Sequence, residues 1–235
     1  NFNANAGRHI KNIKTFLNDM TEQGINKNSE YDKKYFKAYK DEPEIFALTM
    51  AELKELSDVD LDERHDKVRD LFLFEAYTGI RFSDVQNLKH ENPESDFVLV
   101  PVIKTKDFLK LPLNQQAKTI LKKYYNSETN QVELPKISNQ RMNAYIKEIC
   151  QILEWDEKIT VVKFKGAKRF EFQFEKLELV SSHTARRSFV TNALELGIPP
   201  TLVMQLVGHK KVDTLKRYVK HNEKTLQDAI SKFNL

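Results

Sequence analysis

Cysteine is almost absent from this chain: Cys150 is the one thiol in 235 residues. No intrachain disulfide can form, and a zinc site built on several thiolates has no ligands. Glycine and proline are also scarce, at 6 and 7 residues, which excludes a collagen-like repeat or a low-complexity linker. Long apolar runs are missing as well. The best, Leu71-Phe72-Leu73-Phe74, stops at Glu75, far short of the roughly 18 residues that a membrane-spanning helix requires. Mean hydropathy is −0.58, and the N-terminus lacks the basic-then-apolar pattern of a secretory leader. These absences together lead to the expectation of a soluble protein of a reducing cytoplasm. There is no Walker-type glycine loop and no acidic cluster with metal-ligand spacing, so neither a cofactor nor a metal is expected. The chain opens at Asn1 without methionine and reads as a processed or recombinant fragment.

Charge is present in both signs but unevenly spread. The net charge is only +4, yet residues 1–40 carry 8 basic and 4 acidic side chains, residues 41–100 carry 6 and 16, and residues 101–235 carry 24 and 14. A basic block suits a polyanion, because Lys and Arg that neutralise phosphates release counterions. A solvated lysine-rich surface would produce the same asymmetry, so charge alone does not identify a partner.

Hydrophobic spacing predicts a mainly α-helical chain with a small antiparallel β-sheet. Ile10, Ile13, Phe16, Leu17 and Met20 recur at helical spacing between Gly7 and Met20. Residues 21–44 are polar and end in Asp41-Glu42-Pro43, which reads as a linker and a domain boundary near 44. Thr49 to Glu52 has the form of a capping box. A strong helix is expected over Asp62 to Tyr77, stopped by Thr78-Gly79, with another helix over Ser83 to Leu88. Residues 97–113 alternate and predict two strands around a turn near Lys106-Asp107. Asn114 to Tyr125 and Ser138 to Leu153 read as helices, residues 160–175 as a second strand pair around Gly166-Ala167, and the chain after Ser182 as mostly helical.

Four stretches carry chemistry. In Thr78-Gly79-Ile80-Arg81-Phe82-Ser83-Asp84 an arginine follows a helix-ending glycine, where its planar fork can hold an anion; pairing with Asp84 three residues on is the simpler alternative. In Ser182-His183-Thr184-Ala185-Arg186, Ser182 is expected to cap a helix. Spacing of three puts His183 and Arg186 on one face, suiting two donors to one phosphate. In the third stretch Leu206-Val207-Gly208-His209 is followed by Tyr218, a residue type that can act as a nucleophile if cations stabilise its developing charge; a packed tyrosine is the alternative. The fourth is Lys104, near the predicted hairpin turn and able to donate a proton, with Lys106 and Lys110 as other candidates.

In this order and context the motifs resemble those of the tyrosine recombinases, also called lambda-type integrases, over roughly residues 46–235. Thr78 to Asp84 is similar to the family's first-arginine box, and His183 to Phe189 to its His-x-x-Arg box. Leu206 to His209 with Thr214 to Tyr218 is similar to its Leu-Gly-His and nucleophile region, with Val207 before the glycine as a departure. The region around Ser138 to Cys150 and the second strand pair resemble integrases of Bacteroidetes mobile elements.

The resemblance implies the catalytic-domain fold of that family and site-specific cutting and rejoining of DNA through a 3′-phosphotyrosyl intermediate. Tyr218 would be the nucleophile, Arg81 and Arg186 the phosphate clamp, His183 and His209 hydrogen-bond donors or proton shuttles, and Lys104 the acid for the leaving 5′-oxygen. It further implies that residues 1–44 are the end of a helical core-binding domain plus linker. Residues 45–235 would be the catalytic domain with a C-terminal helix over Glu223 to Phe233. The expected partner is double-stranded DNA carrying recombination sites, bound by a homotetramer that is monomeric when free. A type IB topoisomerase-like enzyme and a catalytically inactive DNA-binding regulator are the competing readings.

Overall fold

The computed structural model describes residues 3–38, 45–102, 107–209, 215, 218 and 231. Contacts divide the chain into two compact units, Asn1–Glu44 with Lys158–Phe174, and Ile45–Glu157 with Glu175–Leu235.

In the first unit, helix α1 (Asn3–Glu22) packs against the hairpin of β5 (Lys158–Lys165) and β6 (Lys168–Glu175). The amide of Asn3 clasps the hairpin turn, donating to the Gly166 carbonyl at 2.9 Å and accepting from its N–H at 2.7 Å. The helix extends beyond the expected Gly7 to Met20 in both directions. Its covered positions are Asn3 and Gly7, while Ile13 and Phe16 of the anticipated apolar stripe are exposed.

The second unit is built around α3 (Glu63–Thr78), packed by α2 (Met50–Asp58), α5 (Gln115–Lys123), α6 (Asn139–Ile152) and α8 (Ser182–Glu195). Local chemistry explains where α3 begins and ends. Asp62 caps it by accepting the His65 N–H at 3.0 Å, and Gly79 ends it in the left-handed region at φ 69°. Neighbours on most sides bury Val68, Leu71, Phe72, Leu73, Phe74 and Ala76, so the helix is stabilised mainly by tertiary burial rather than by propensity. Two of its buried polar residues are fully engaged. Asp70 accepts from the Tyr124 hydroxyl at 2.9 Å and from Lys123 at 2.6 Å. The two ring nitrogens of His65 meet Asp62 at 2.7 Å and Glu148 of α6 at 2.8 Å.

The short α4 (Phe82–Val85) differs from the six-residue helix expected over Ser83 to Leu88. Competing side-chain bonds end it after one turn: Asn87 donates back to the Ser83 carbonyl at 2.8 Å, and Gln86 accepts the Ile137 N–H at 3.1 Å. Among the described residues the expected β content is there as three separate two-stranded ribbons rather than one sheet. In the first, β1 (Phe97–Val102) pairs antiparallel with β2 (Asp107–Pro112), setting Val98 opposite Leu111 and Leu99 opposite Lys110. Val98, Val100 and Leu111 enter the core, whereas Phe97, Leu99 and Phe108 are exposed, the alternation a half-buried ribbon requires. The second ribbon, β3 (Tyr125–Asn126) and β4 (Gln131–Val132), was not expected, nor was the single turn α7 (Lys176–Leu179). After α8 comes α9 (Pro200–Val207), ended by Gly208 at φ 63°. The C-terminal helix expected over Glu223 to Phe233 lies outside the described residues, except for Ser231.

One buried tie joins the start of this unit to α8. The backbone of Leu48 donates to the Ser188 hydroxyl at 2.8 Å and accepts from the Asn192 amide at 3.0 Å. Replacing Ser188 with alanine leaves the Leu48 N–H buried without an acceptor. We expect Ser188→Ala to cost about 1–3 kcal/mol, read as a lower urea midpoint at unchanged slope.

Candidate active site

The site forms where the ends of α3, α8 and α9 meet, and its anchor is Arg186. The residue is 4% exposed. It donates from Nη1 to the Gly79 carbonyl at 2.5 Å and from Nη2 to the Val207 carbonyl at 2.6 Å. Both acceptors are helix-end carbonyls, which have no intrahelical donor. Gly79 is required twice over. Its φ is positive, and a Cβ there would lie 2.5 Å from the Phe189 ring and 2.9 Å from Val207 Cγ1.

Arg81 stands at the start of α4, its side chain about one-third exposed, with Nη1 3.4 Å from Oδ2 of the buried Asp84. The two readings of this arginine therefore coexist: it is braced by Asp84 and still open to an anion. A helix of one turn offers little anion binding through its own N-terminus, so the guanidinium supplies the charge here.

His183 occupies the first turn of α8, exposed at its surface. Ser181, not Ser182, caps this helix, its N–H donating to Thr184 Oγ1 at 3.0 Å. Ser182 is taken by α6 instead. Its N–H donates to Asn143 Oδ1 at 2.8 Å, and its hydroxyl accepts from the Asn139 amide at 3.2 Å. Those asparagines, which hold the helix carrying His183 and Arg186, left no readable signal in the sequence. His209 follows Gly208, with its N–H on the Met204 carbonyl at 2.9 Å and its Nδ1 buried without a partner among the described residues. Tyr218 is half-buried beside Val203, Val207 and Leu215, its N–H donating to the Leu215 carbonyl at 2.8 Å. Lys104 lies outside the described residues, as does Lys106.

The electrostatics bring the groups together. Burial, with Arg81 next to it, holds the Arg186 pKa down to about 10, against the opposing pull of Tyr218, Asp84 and Glu75. The guanidinium remains charged at neutral pH. His209 is held down to about 4 by burial and then by Arg186, Arg81 and His183. The ring of His183 is partly desolvated although the residue as a whole is exposed, and this, followed by Arg187, Arg186 and Arg81, lowers its pKa. Arg81, His183, Arg186, His209 and Tyr218 thus lie within one another's electrostatic reach, directly or through Arg186, forming a cationic site with two neutral imidazoles and one phenol. Such a site can hold a phosphodiester and stabilise added negative charge on phosphorus without a metal ion.

Residues 47–225 match the family described as the phage integrase family. The tyrosine recombinase XerA of Pyrococcus furiosus is 30% identical over 193 residues, covering 80% of this chain and 62% of the relative. The tyrosine recombinase XerD of Listeria monocytogenes is 24% identical over 160 residues, covering 67% and 51%. The chain therefore spans about half to three-fifths of these curated relatives. Among solved structures, the integrase of transposon Tn1549, in complex with a circular intermediate DNA, superposes with TM-score 0.68 at 13% identity, over 96% of this chain and 78% of that one. A lambda integrase dimer bound to a core site gives TM-score 0.55 at 15% identity, over 92% and 81%. These structural likenesses show a shared fold.

Two outcomes follow from the geometry. Gly79→Ala combines a left-handed backbone with a steric clash and should cost about 3 kcal/mol in chemical denaturation. Because the folded pKa of His209 lies below its ordinary 6.5, its contribution to stability is complete above that value. The contribution is lost as pH falls from 6.5 toward 4, where the folded form also takes the proton. Denaturation midpoints should decline across that window, and the decline should shrink in His209→Gln.

Proposed function

This chain belongs to the phage integrase family, and from that premise we propose that it is the catalytic part of a site-specific DNA recombinase acting on double-stranded recombination sites. In this reading residues 45–235 cut and rejoin DNA, and residues 1–44 are the end of a helical core-binding domain with its linker. The observation that carries it is the gathering of Arg81, Arg186, His183 and His209 into one cationic site, with Tyr218 close enough to act on the charge of Arg186.

The geometry suggests a division of labour. Arg186, pinned by two carbonyls, and Arg81, braced by Asp84, take the two non-bridging oxygens of the scissile phosphate. Tyr218 Oη attacks phosphorus. The P–Oη bond forms, the P–O5′ bond breaks, the phenol passes its proton to a neutral imidazole, His183 or His209, and the departing 5′-oxygen gains one, for which Lys104 is the proposed donor. His183 and His209, neutral near pH 7, can each accept or donate a hydrogen bond as charge shifts. The 3′-phosphotyrosyl bond keeps the energy of the broken linkage, so rejoining by the 5′-hydroxyl needs no nucleotide cofactor. Fixed cations concentrate charge stabilisation in the transition state. We place the protein in the cytoplasm, on the DNA of a mobile element, as a homotetramer across two duplexes.

The test is a nicked suicide duplex carrying a sequence that the chain selects from a randomised library. A covalent adduct mapping to Tyr218, absent in Tyr218→Phe, is the expected result. No adduct on a selected, bound site would overturn recombinase activity, and sequence-independent relaxation of supercoils would point to a topoisomerase. Arg81→Ala is the cleaner arginine variant, because Arg186→Ala also strips the donors from two buried carbonyls. Arg81→Ala should lower single-turnover cleavage by about 10²–10³-fold with a much smaller loss of DNA affinity. Equal losses in both would reduce Arg81 to an affinity contact.

A further inference from the structure

Glu75 is a buried acid that the mechanism above does not use. It lies one turn before Gly79 on α3, with its backbone carbonyl accepting the Gly79 N–H at 2.8 Å. The residue is 1% exposed, and its Oε1 has no hydrogen-bond partner among the described residues. An apolar residue would occupy this position without the cost of an unsatisfied carboxyl. The structure also shows what faces it. Across the α3–α8 interface stands Arg186, the cation that acts on Glu75 among the described residues.

Arg186 gives Nη1 and Nη2 hydrogens to Gly79 and Val207, so guanidinium and carboxyl meet through space. The other charged and titratable groups around the guanidinium are Arg81 and Asp84 after the α3 turn, His183 on α8, His209 after α9, and Tyr218. Asp84 is engaged with Arg81. Among the described residues Glu75 is therefore the acid left to answer the charge of Arg186.

We propose that Glu75 is a positioning residue whose proton gates the phosphate clamp: protonated, it leaves the full charge of Arg186 to a DNA phosphate, and ionised, it neutralises that charge. The inference rests on the DNA-cleaving reading above. A carboxylate and a phosphodiester sharing one guanidinium in a low-dielectric site oppose each other, so seating the phosphate favours the protonated acid. Burial holds this carboxyl well above the ordinary carboxylate range, with Arg186 pulling it back, which moves the switch away from acidic pH. The sign is then set. Affinity and cleavage fall as pH rises through the Glu75 titration, by up to about tenfold per pH unit for one linked proton, and bound DNA moves that titration upward. The histidines, held below their ordinary value, titrate on the acidic side.

The experiment compares pH profiles of single-turnover cleavage on the selected suicide duplex for the unsubstituted chain and Glu75→Gln. The glutamine mimics the protonated acid and cannot titrate. It should match the unsubstituted rate on the acidic side and exceed it on the alkaline side, by about tenfold one pH unit past the Glu75 midpoint. Superimposable profiles would overturn the proposal while leaving recombinase activity intact, whereas absence of any adduct with the unsubstituted chain would remove the reading beneath it. Infrared titration of the Tyr218→Phe chain keeps the test open if Glu75→Gln does not fold. A protonated-carboxyl band should disappear with rising pH at a midpoint that DNA shifts upward, and an unchanged midpoint would also overturn the proposal.

Discussion

One guanidinium joins the parts on which everything else depends. Arg186 belongs to α8, yet its two hydrogen bonds end on Gly79, where α3 stops, and on Val207, where α9 stops. A charge so deeply buried is tolerated only when its donors are satisfied, and here the acceptors are carbonyls that helix termination leaves free. The same bonds pull Arg81, two residues past Gly79, and His209, two residues past Val207, toward one place. A single side chain thus couples the packing of three helices to the assembly of the site.

The site is a concentration of positive charge that the fold holds in check. Asp84 neutralises part of Arg81, both imidazoles are kept uncharged by desolvation and by the arginines, and Glu75 is a buried acid within the field of Arg186, its Oε1 without a hydrogen-bond partner among the described residues. These features answer one problem. Cations strong enough to stabilise a phosphoryl transition state repel one another when no anion is bound, and removing charge from their neighbours limits that repulsion.

Much of the architecture was legible beforehand because it depends on short-range rules. The Gly79 stop and the helical spacing of Val68, Leu71, Phe72 and Phe74 mark out α3 without any tertiary information, and alternation in residues 97–113 marks the first ribbon. The misreadings are also local in origin. Ser181 and Ser182 are equally good caps as residue types, and Asn139 and Asn143, from a distant helix, decide between them. Asn87 and Gln86 stop α4 early through bonds that hydrophobic periodicity does not register.

The sequence by itself determined the helices, their principal stops, and the order of arginine, histidine and tyrosine motifs that places the chain in its family. Only the tertiary structure decided which carbonyls hold Arg186, that Arg81 is both braced and open, and that Glu75 is buried facing a cation. The reason is physical: capping and periodicity act over a few residues along the chain, whereas desolvation and Coulomb interaction depend on which distant side chains packing brings close.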